Sequence, residues 1–79
     1  MNKHDADVII SSYVRKLFGF AMTKLSRIDE AEELAAEITL QVYESLLKHD
    51  NIANTDGYVY RIARNVYARY IDGRKKATV

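Results

Sequence analysis

Residues 29–48 read Asp-Glu-Ala-Glu-Glu-Leu-Ala-Ala-Glu-Ile-Thr-Leu-Gln-Val-Tyr-Glu-Ser-Leu-Leu-Lys. Set at about 100° per residue, the segment carries two apolar stripes. One is Ala31, Ala35, Ile38, Val42 and Leu46, which should pack on the rest of the chain. The other, Ala36, Leu40, Tyr43 and Leu47, lies nearly opposite. An acidic edge of Glu30, Glu33, Glu37 and Glu44 runs between them. A surface helix needs one apolar stripe. The second is therefore either covered by another helix of the chain or left open for a partner helix. An acidic edge beside an apolar strip suits an Arg-rich helical partner.

Upstream, Ser26-Arg-Ile-Asp29 reads as a capping box; alternatively Asp29 is the cap, with Glu32 behind it. A first helix is expected over residues 7–26, with Ile10, Tyr13, Val14, Leu17, Phe18, Ala21 and Leu25 facing inward. Gly19 sits inside that pattern and should break the helix or mark a close crossing. Downstream, residues 49–57 form a polar loop in which Asn54, Thr55 or Asp56 can cap a final helix over residues 57–72. Gly73 should end that helix and leave residues 73–79 as a basic tail. Proline is absent and no alternating strand pattern occurs. The expected fold is all-α: one domain over residues 1–79, built as a small bundle of three main helices.

Seventy-nine residues at 48% apolar and 29% charged composition suit a small folded domain. A chain of this size buries only about 60% of its unfolded surface, too little to enclose a deep substrate pocket. Without cysteine, disulfides and the usual structural zinc sites are excluded. His4 and His49 are too far apart in sequence to form a ligand cluster. There is no nucleophile–base pair and no phosphate-cradling glycine loop, and Ser11 and Ser12 read as an exposed helix face. The expectation is a non-enzyme with no cofactor, no metal and no small-molecule substrate. The longest apolar runs, such as Val8-Ile9-Ile10, are far below the roughly 20 residues of a membrane span. With no signal-peptide pattern, a cytoplasmic location without a membrane partner is expected.

A net charge of +1 hides a polarised distribution. Residues 1–26 carry +2, residues 27–50 carry −5 and residues 57–79 carry +5. Chance can scatter charge this way in a small domain; otherwise it points to two partners of opposite charge. In the last helix, Val59, Ile62, Ala63, Val66 and Tyr70 form a core face. Opposite them stand Tyr58, Arg61, Asn65, Ala68 and Arg69. Arg61, Asn65 and Arg69 project in one row at four-residue spacing. Asn can bond the edge of adenine, and Arg can hold guanine or phosphate bidentately. Arg64, Arg74, Lys75 and Lys76 would add phosphate attraction, and exposed tyrosines among the four in residues 58–70 could stack on unpaired bases. The other reading is a solvated basic face with tyrosines flanking a core.

Residues 58–65, Tyr-Val-Tyr-Arg-Ile-Ala-Arg-Asn, resemble the W-L-Y-R-I-A-R-N signature of bacterial sigma factors of the extracytoplasmic-function group. Residues 31–37, Ala-Glu-Glu-Leu-Ala-Ala-Glu, are similar to that family's A-E-D-L-V-Q-E helix. The resemblance covers about residues 7–76 and corresponds to sigma region 2. It implies a transcription-initiation domain whose second helix docks on the beta-prime clamp helices of core RNA polymerase, here through Glu30, Glu33, Ala36, Glu37, Leu40, Gln41 and Tyr43. It further implies that the last helix and the loop before it read the minus-ten promoter element. Arg61, Asn65 and Arg69 fall on promoter-contacting positions. Asn51, Ile52, Ala53, Asn54 and Thr55 would shape a pocket for a base flipped from the non-template strand.

The chain departs from the pattern at four places. Ala36 stands for a glutamine, Thr39 for a phenylalanine and Tyr58 for the tryptophan, while the usual Asp and Arg late in the last helix appear swapped as Arg69 and Asp72. Asn65 is thus the preferred base reader. The resemblance allows an anti-sigma factor as a further partner. It also suggests an excised domain, whose DNA affinity alone should be weak and salt-dependent. Two other readings are a helix-turn-helix repressor, against which the long loop counts, and a helical protein-interaction adaptor.

Overall fold

A computed structural model describes residues 1–77, with side chains through Arg74. Three helices follow one another: α1 (Lys3–Lys24), α2 (Ile28–Lys48) and α3 (Thr55–Ala77). The all-α, three-helix expectation holds, while several boundaries move.

α1 begins before Asp7 because Asn2 caps it, its Oδ1 accepting the Asp5 N–H at 2.8 Å. Gly19 neither breaks α1 nor marks a crossing. The helix runs through it, and a Cβ placed there meets nothing within 4 Å. Leu17 and Ala21 are fully buried on either side, and their packing outweighs a glycine penalty of about 1 kcal/mol. At the start of α2 the residue at the N-cap is Arg27, with no side-chain capping bond, so neither Ser26 nor Asp29 caps it. The Asp29 carboxylate instead accepts from the Arg27 guanidinium at 3.0 and 3.2 Å, which holds its carboxyl below the usual range.

α3 starts at Thr55, capped by Asn54, whose Oδ1 accepts the Gly57 N–H at 3.0 Å. A Cβ at Gly57 would come within 2.9 Å of Asn54 Nδ2, so glycine makes room for the cap. Gly73 does not end the helix, which continues to Ala77. No glycine adopts the positive φ of a left-handed terminator. Beyond Gly73 the Arg74 guanidinium pairs with Glu30 of α2 at 2.9 Å and lies 5.9 Å from the Tyr70 ring, tying that turn down. The expected tail at residues 73–79 is thus helical as far as Ala77; residues 78–79 lie outside the described residues.

α2 is the central helix. Its first stripe, Ala31, Ala35, Ile38, Val42 and Leu46, is buried as expected, joined by Leu34. Leu17 and Ala21 of α1 and Val59, Ala63 and Val66 of α3 complete the core. Val14 and Phe18, expected inside, are 49% and 36% exposed. The buried row of α1 is Tyr13–Leu17–Ala21, continued by Leu25 at the C-cap. Val14 and Phe18, each about 100° round the helix from that row, lie on the rim of a groove toward α2.

α1 meets α3 through aromatic side chains. The buried Tyr13 phenol donates to the Asp56 carboxylate in the first turn of α3. That bond and burial push its pKa up to about 12. Tyr13 and Phe20 lie 6.3 and 6.2 Å from the Tyr60 ring. These contacts set where α3 begins, and so where the preceding loop sits.

Candidate nucleic-acid interface

The chain leaves α2 by an extended residue at His49 and turns at Asn51, whose φ of 58° is left-handed. Asparagine tolerates that conformation better than other side-chain-bearing residues. Half-buried Ile52 then packs on the core and anchors the connection. Residues 49–54 together with Gly57, Tyr58 and Arg61 enclose an open concavity of ≈ 390 Å³. The five loop residues expected to shape a pocket divide. Asn51, Ile52, Ala53 and Asn54 line the concavity, whereas Thr55 is half-buried as the first residue of α3.

Three side chains form one wall. The Arg61 guanidinium lies 5.8 Å from the Tyr58 ring, and the Tyr58 and His49 rings meet edge-on at 6.0 Å. His49 Nδ1 is 2.9 Å from the Ser45 carbonyl oxygen and 3.2 Å from the Tyr58 hydroxyl. A carbonyl oxygen only accepts, so Nδ1 carries the proton. Tyr58, expected on the exposed face, is half-buried and packs against the core. His49 was weighed in sequence only as a metal ligand. Its pairing with Tyr58 depends on the loop path, and no periodic signal reveals it.

The Arg61–Asn65–Arg69 row does not stay together. All three residues are exposed on α3, but the drift of about 40° per step separates their surroundings. Arg61 borders the loop concavity. Asn65 faces outward. Arg69 lines a second groove, of ≈ 460 Å³, with Glu33, Glu37, Gln41 and Glu44 of α2. Arg64 is exposed, and Arg74 is engaged with Glu30. The Lys75 and Lys76 side chains lie outside the described residues. No tyrosine is fully exposed, so an expected exposed stacking ring is replaced by half-buried ones at positions 58, 60, 67 and 70. Tyr70 is pushed upward in pKa by burial and then by Glu33 and Glu30.

The expected polymerase-facing set also divides. Glu33, Glu37 and Gln41 face the α2–α3 groove, while Ala36 and Tyr43 face a groove between α1 and α2. Leu40, 59% exposed, borders both. Glu30 is half-buried by its pairs with Arg74 and Arg27. The α1–α2 groove, ≈ 760 Å³, is apolar, with Val14 and Phe18 opposite Ala36 and Tyr43. Thr39 turns its hydroxyl back to the Ala35 carbonyl at 2.8 Å, satisfying its polar atom within the helix. The second stripe of α2 is therefore open along Ala36 and Leu40, and α1 contributes the other wall of the groove without covering it.

The described residues thus form a helical domain with an acidic middle helix, a polar loop concavity and a cationic last helix. The Sigma-70 region 2 family matches residues 9–77, and the chain belongs to it. Region 2 is a transcription-initiation domain associated with core RNA polymerase and promoter DNA. No curated protein and no solved structure gives a significant match. Among the described residues, no helix is long and apolar enough to cross a membrane.

Proposed function

We propose that this chain is region 2 of an extracytoplasmic-function sigma factor, acting in the cytoplasm on the minus-ten element. The concavity of residues 49–54 beneath Tyr58 and Arg61, within a sigma region 2 domain, carries this reading. A flipped base from the non-template strand enters there. Asn51, Asn54 and the loop amides offer hydrogen bonds to its Watson–Crick edge. The Tyr58 ring offers an aromatic contact surface and Arg61 a phosphate or base contact. Asn65 reads an adjacent base. Extrusion costs a few kcal/mol of unstacking, recovered through these contacts, so opening proceeds by capture.

Leu40 is the centre of the polymerase-docking face. It stands between the apolar groove of Ala36 and Tyr43 and the acidic groove of Glu33, Glu37 and Gln41. A clamp-helix coiled coil with apolar and basic residues complements both. Arg69 and Arg74, facing or pairing with the α2 acids, are weaker candidates for base reading than Asn65. Residues 49–54 form a longer connection than the roughly three- or four-residue helix-turn-helix turn, which disfavours the repressor reading.

The test is binding of the domain to purified clamp helices, with and without a single-stranded non-template minus-ten oligonucleotide. Leu40→Ala or Glu37→Lys should weaken clamp binding about tenfold, the scale of one good interface contact. Asn65→Ala should leave clamp binding intact and lower oligonucleotide affinity and base preference. Unchanged promoter-strand binding in Asn65→Ala and Tyr58→Ala would remove the pocket assignment.

A further inference from the structure

His49 lines the loop concavity, yet base capture as described above gives it no part. The last four carbonyls of an α-helix have no partner within the helix. In α2 these begin at Ser45, and His49, one turn on at the C-cap, donates its Nδ1–H to that oxygen at 2.9 Å. The Tyr58 hydroxyl lies 3.2 Å from the same nitrogen, and the two rings meet edge-on, so the imidazole is held from both α2 and α3. A neutral imidazole with its proton on Nδ1 carries a lone pair on Nε2. Among the described residues the ring's hydrogen bonds are all made by Nδ1, and His49 is exposed, which leaves Nε2 open to a ligand. Its neighbours in the concavity are committed differently. Asn54 Oδ1 accepts from Gly57, Asp50 pairs with the Met1 ammonium at 2.7 Å, and the Arg61 guanidinium only donates.

We infer that His49 is a specificity-determining residue of the loop pocket: its Nε2 accepts a hydrogen bond from the exocyclic amino group of the captured base, favouring adenine or cytosine, and acidification withdraws that preference. Adenine and cytosine offer an amino donor where guanine and thymine present a carbonyl oxygen. An imidazole ordinarily gains its second proton between about pH 5 and 8. With Nδ1 already protonated, that proton goes to Nε2. The bond to the Ser45 carbonyl survives, so the ring keeps its place while its open nitrogen turns from acceptor to donor and opposes the amino group. The charged and titratable groups around it are Lys48 of α2, Asp50 of the loop, the Met1 ammonium, and Tyr58 and Arg61 of α3. The ammonium also bonds the His49 carbonyl at 3.0 Å, and it and Asp50 neutralise each other. The inference rests on the proposed base pocket and names the class of base it takes.

The test titrates the 79-residue chain, followed by its backbone amide NMR signals, with short single strands that are abasic except for one central base. That base is adenine, purine, which lacks only the amino group, or none. At about pH 8 the adenine strand should bind about three- to tenfold tighter than the purine strand, the scale of one hydrogen bond, and by about pH 5.5 the two should bind alike. Adenine itself stays neutral over this range. His49→Gln, a neutral acceptor that does not titrate, should keep the adenine preference at both pH values. His49→Phe, which keeps a ring against Tyr58, should lose it at both, with circular dichroism showing both variants folded. An adenine preference that survives His49→Phe would overturn the inference. So would a preference in the unaltered chain that ignores pH, or a pH dependence that persists in His49→Gln. In each of these cases base-dependent shifts at Asn51 and Asn54 would leave the pocket reading standing. Strands with and without the base that bind alike, with no shifts at residues 49–54, would remove pocket and inference together.

Discussion

The two grooves that flank α2 share one helix and differ in almost everything else. Toward α1 the wall is apolar, and Val14 and Phe18 stand open to solvent opposite Ala36 and Tyr43. Toward α3 the wall is charged, with Glu33, Glu37 and Glu44 near Arg69, and Glu30 bonded to Arg74. The acids are placed by α2's own periodicity, but their character depends on the neighbour. Beside α1 an exposed stripe offers the hydrophobic effect to a partner. Beside α3 the same helix offers charge that the chain itself already partly neutralises. Leu40, on the ridge between them, is where one partner can use both.

The comparison breaks completely if the shared helix is loosened. Ile38→Ala or Leu34→Ala, each removing a fully buried side chain, should cost about 2–5 kcal/mol and collapse both grooves, read as a large fall in the thermal midpoint. On α1 two neighbours should separate sharply. Leu17→Ala should cost a similar amount, whereas Phe18→Ala on the open wall should cost under about 1 kcal/mol in chemical denaturation.

Glycines sharpen the contrast further. Gly19→Ala should stabilise by about 0.5–1 kcal/mol, since the helix is regular and the space empty. Gly57→Ala should lose that gain by displacing the Asn54 cap, as a comparison of the two melts would show.

Tyr13 supplies a pH test of the α1–α3 contact. Its folded pKa of about 12 lies above the ordinary value of 10.0. The group's stabilising contribution is therefore complete below about pH 10 and is lost as pH rises through about 12. Tyr13→Phe should be less stable at neutral pH and should lose less stability across that alkaline window. The smallest effect belongs to the charged groove: Glu30→Gln should cost less than about 1 kcal/mol and should matter less in high salt.

Much of the fold was legible in sequence because α2 has a strong helical pattern and the loop is rich in Asn and Asp. The Asn54 cap was one of three open choices, and the hydrogen bond to Gly57 selects it. The inward face of α1 was read too wide: Val14 and Phe18 sit beside the buried Tyr13–Leu17–Ala21 row and open onto the α1–α2 groove. On α3, two four-residue steps carry Arg69 about 80° round from Arg61, into the acidic groove. His49 escaped because its partners, Ser45 and Tyr58, come from opposite ends of a loop whose path only folding defines.

By itself the sequence determined three helices, the buried stripe of α2, the acidic–cationic division and membership of the sigma region 2 family. Periodicity, capping chemistry and short motifs are local, and local signals survive without a neighbour. Tertiary structure decided which apolar stripe is covered, which cations face acids and which rings wall the loop. Those properties depend on helix-to-helix contacts, above all the Tyr13–Asp56 bond and the Arg74–Glu30 pair, whose partners are distant in the chain.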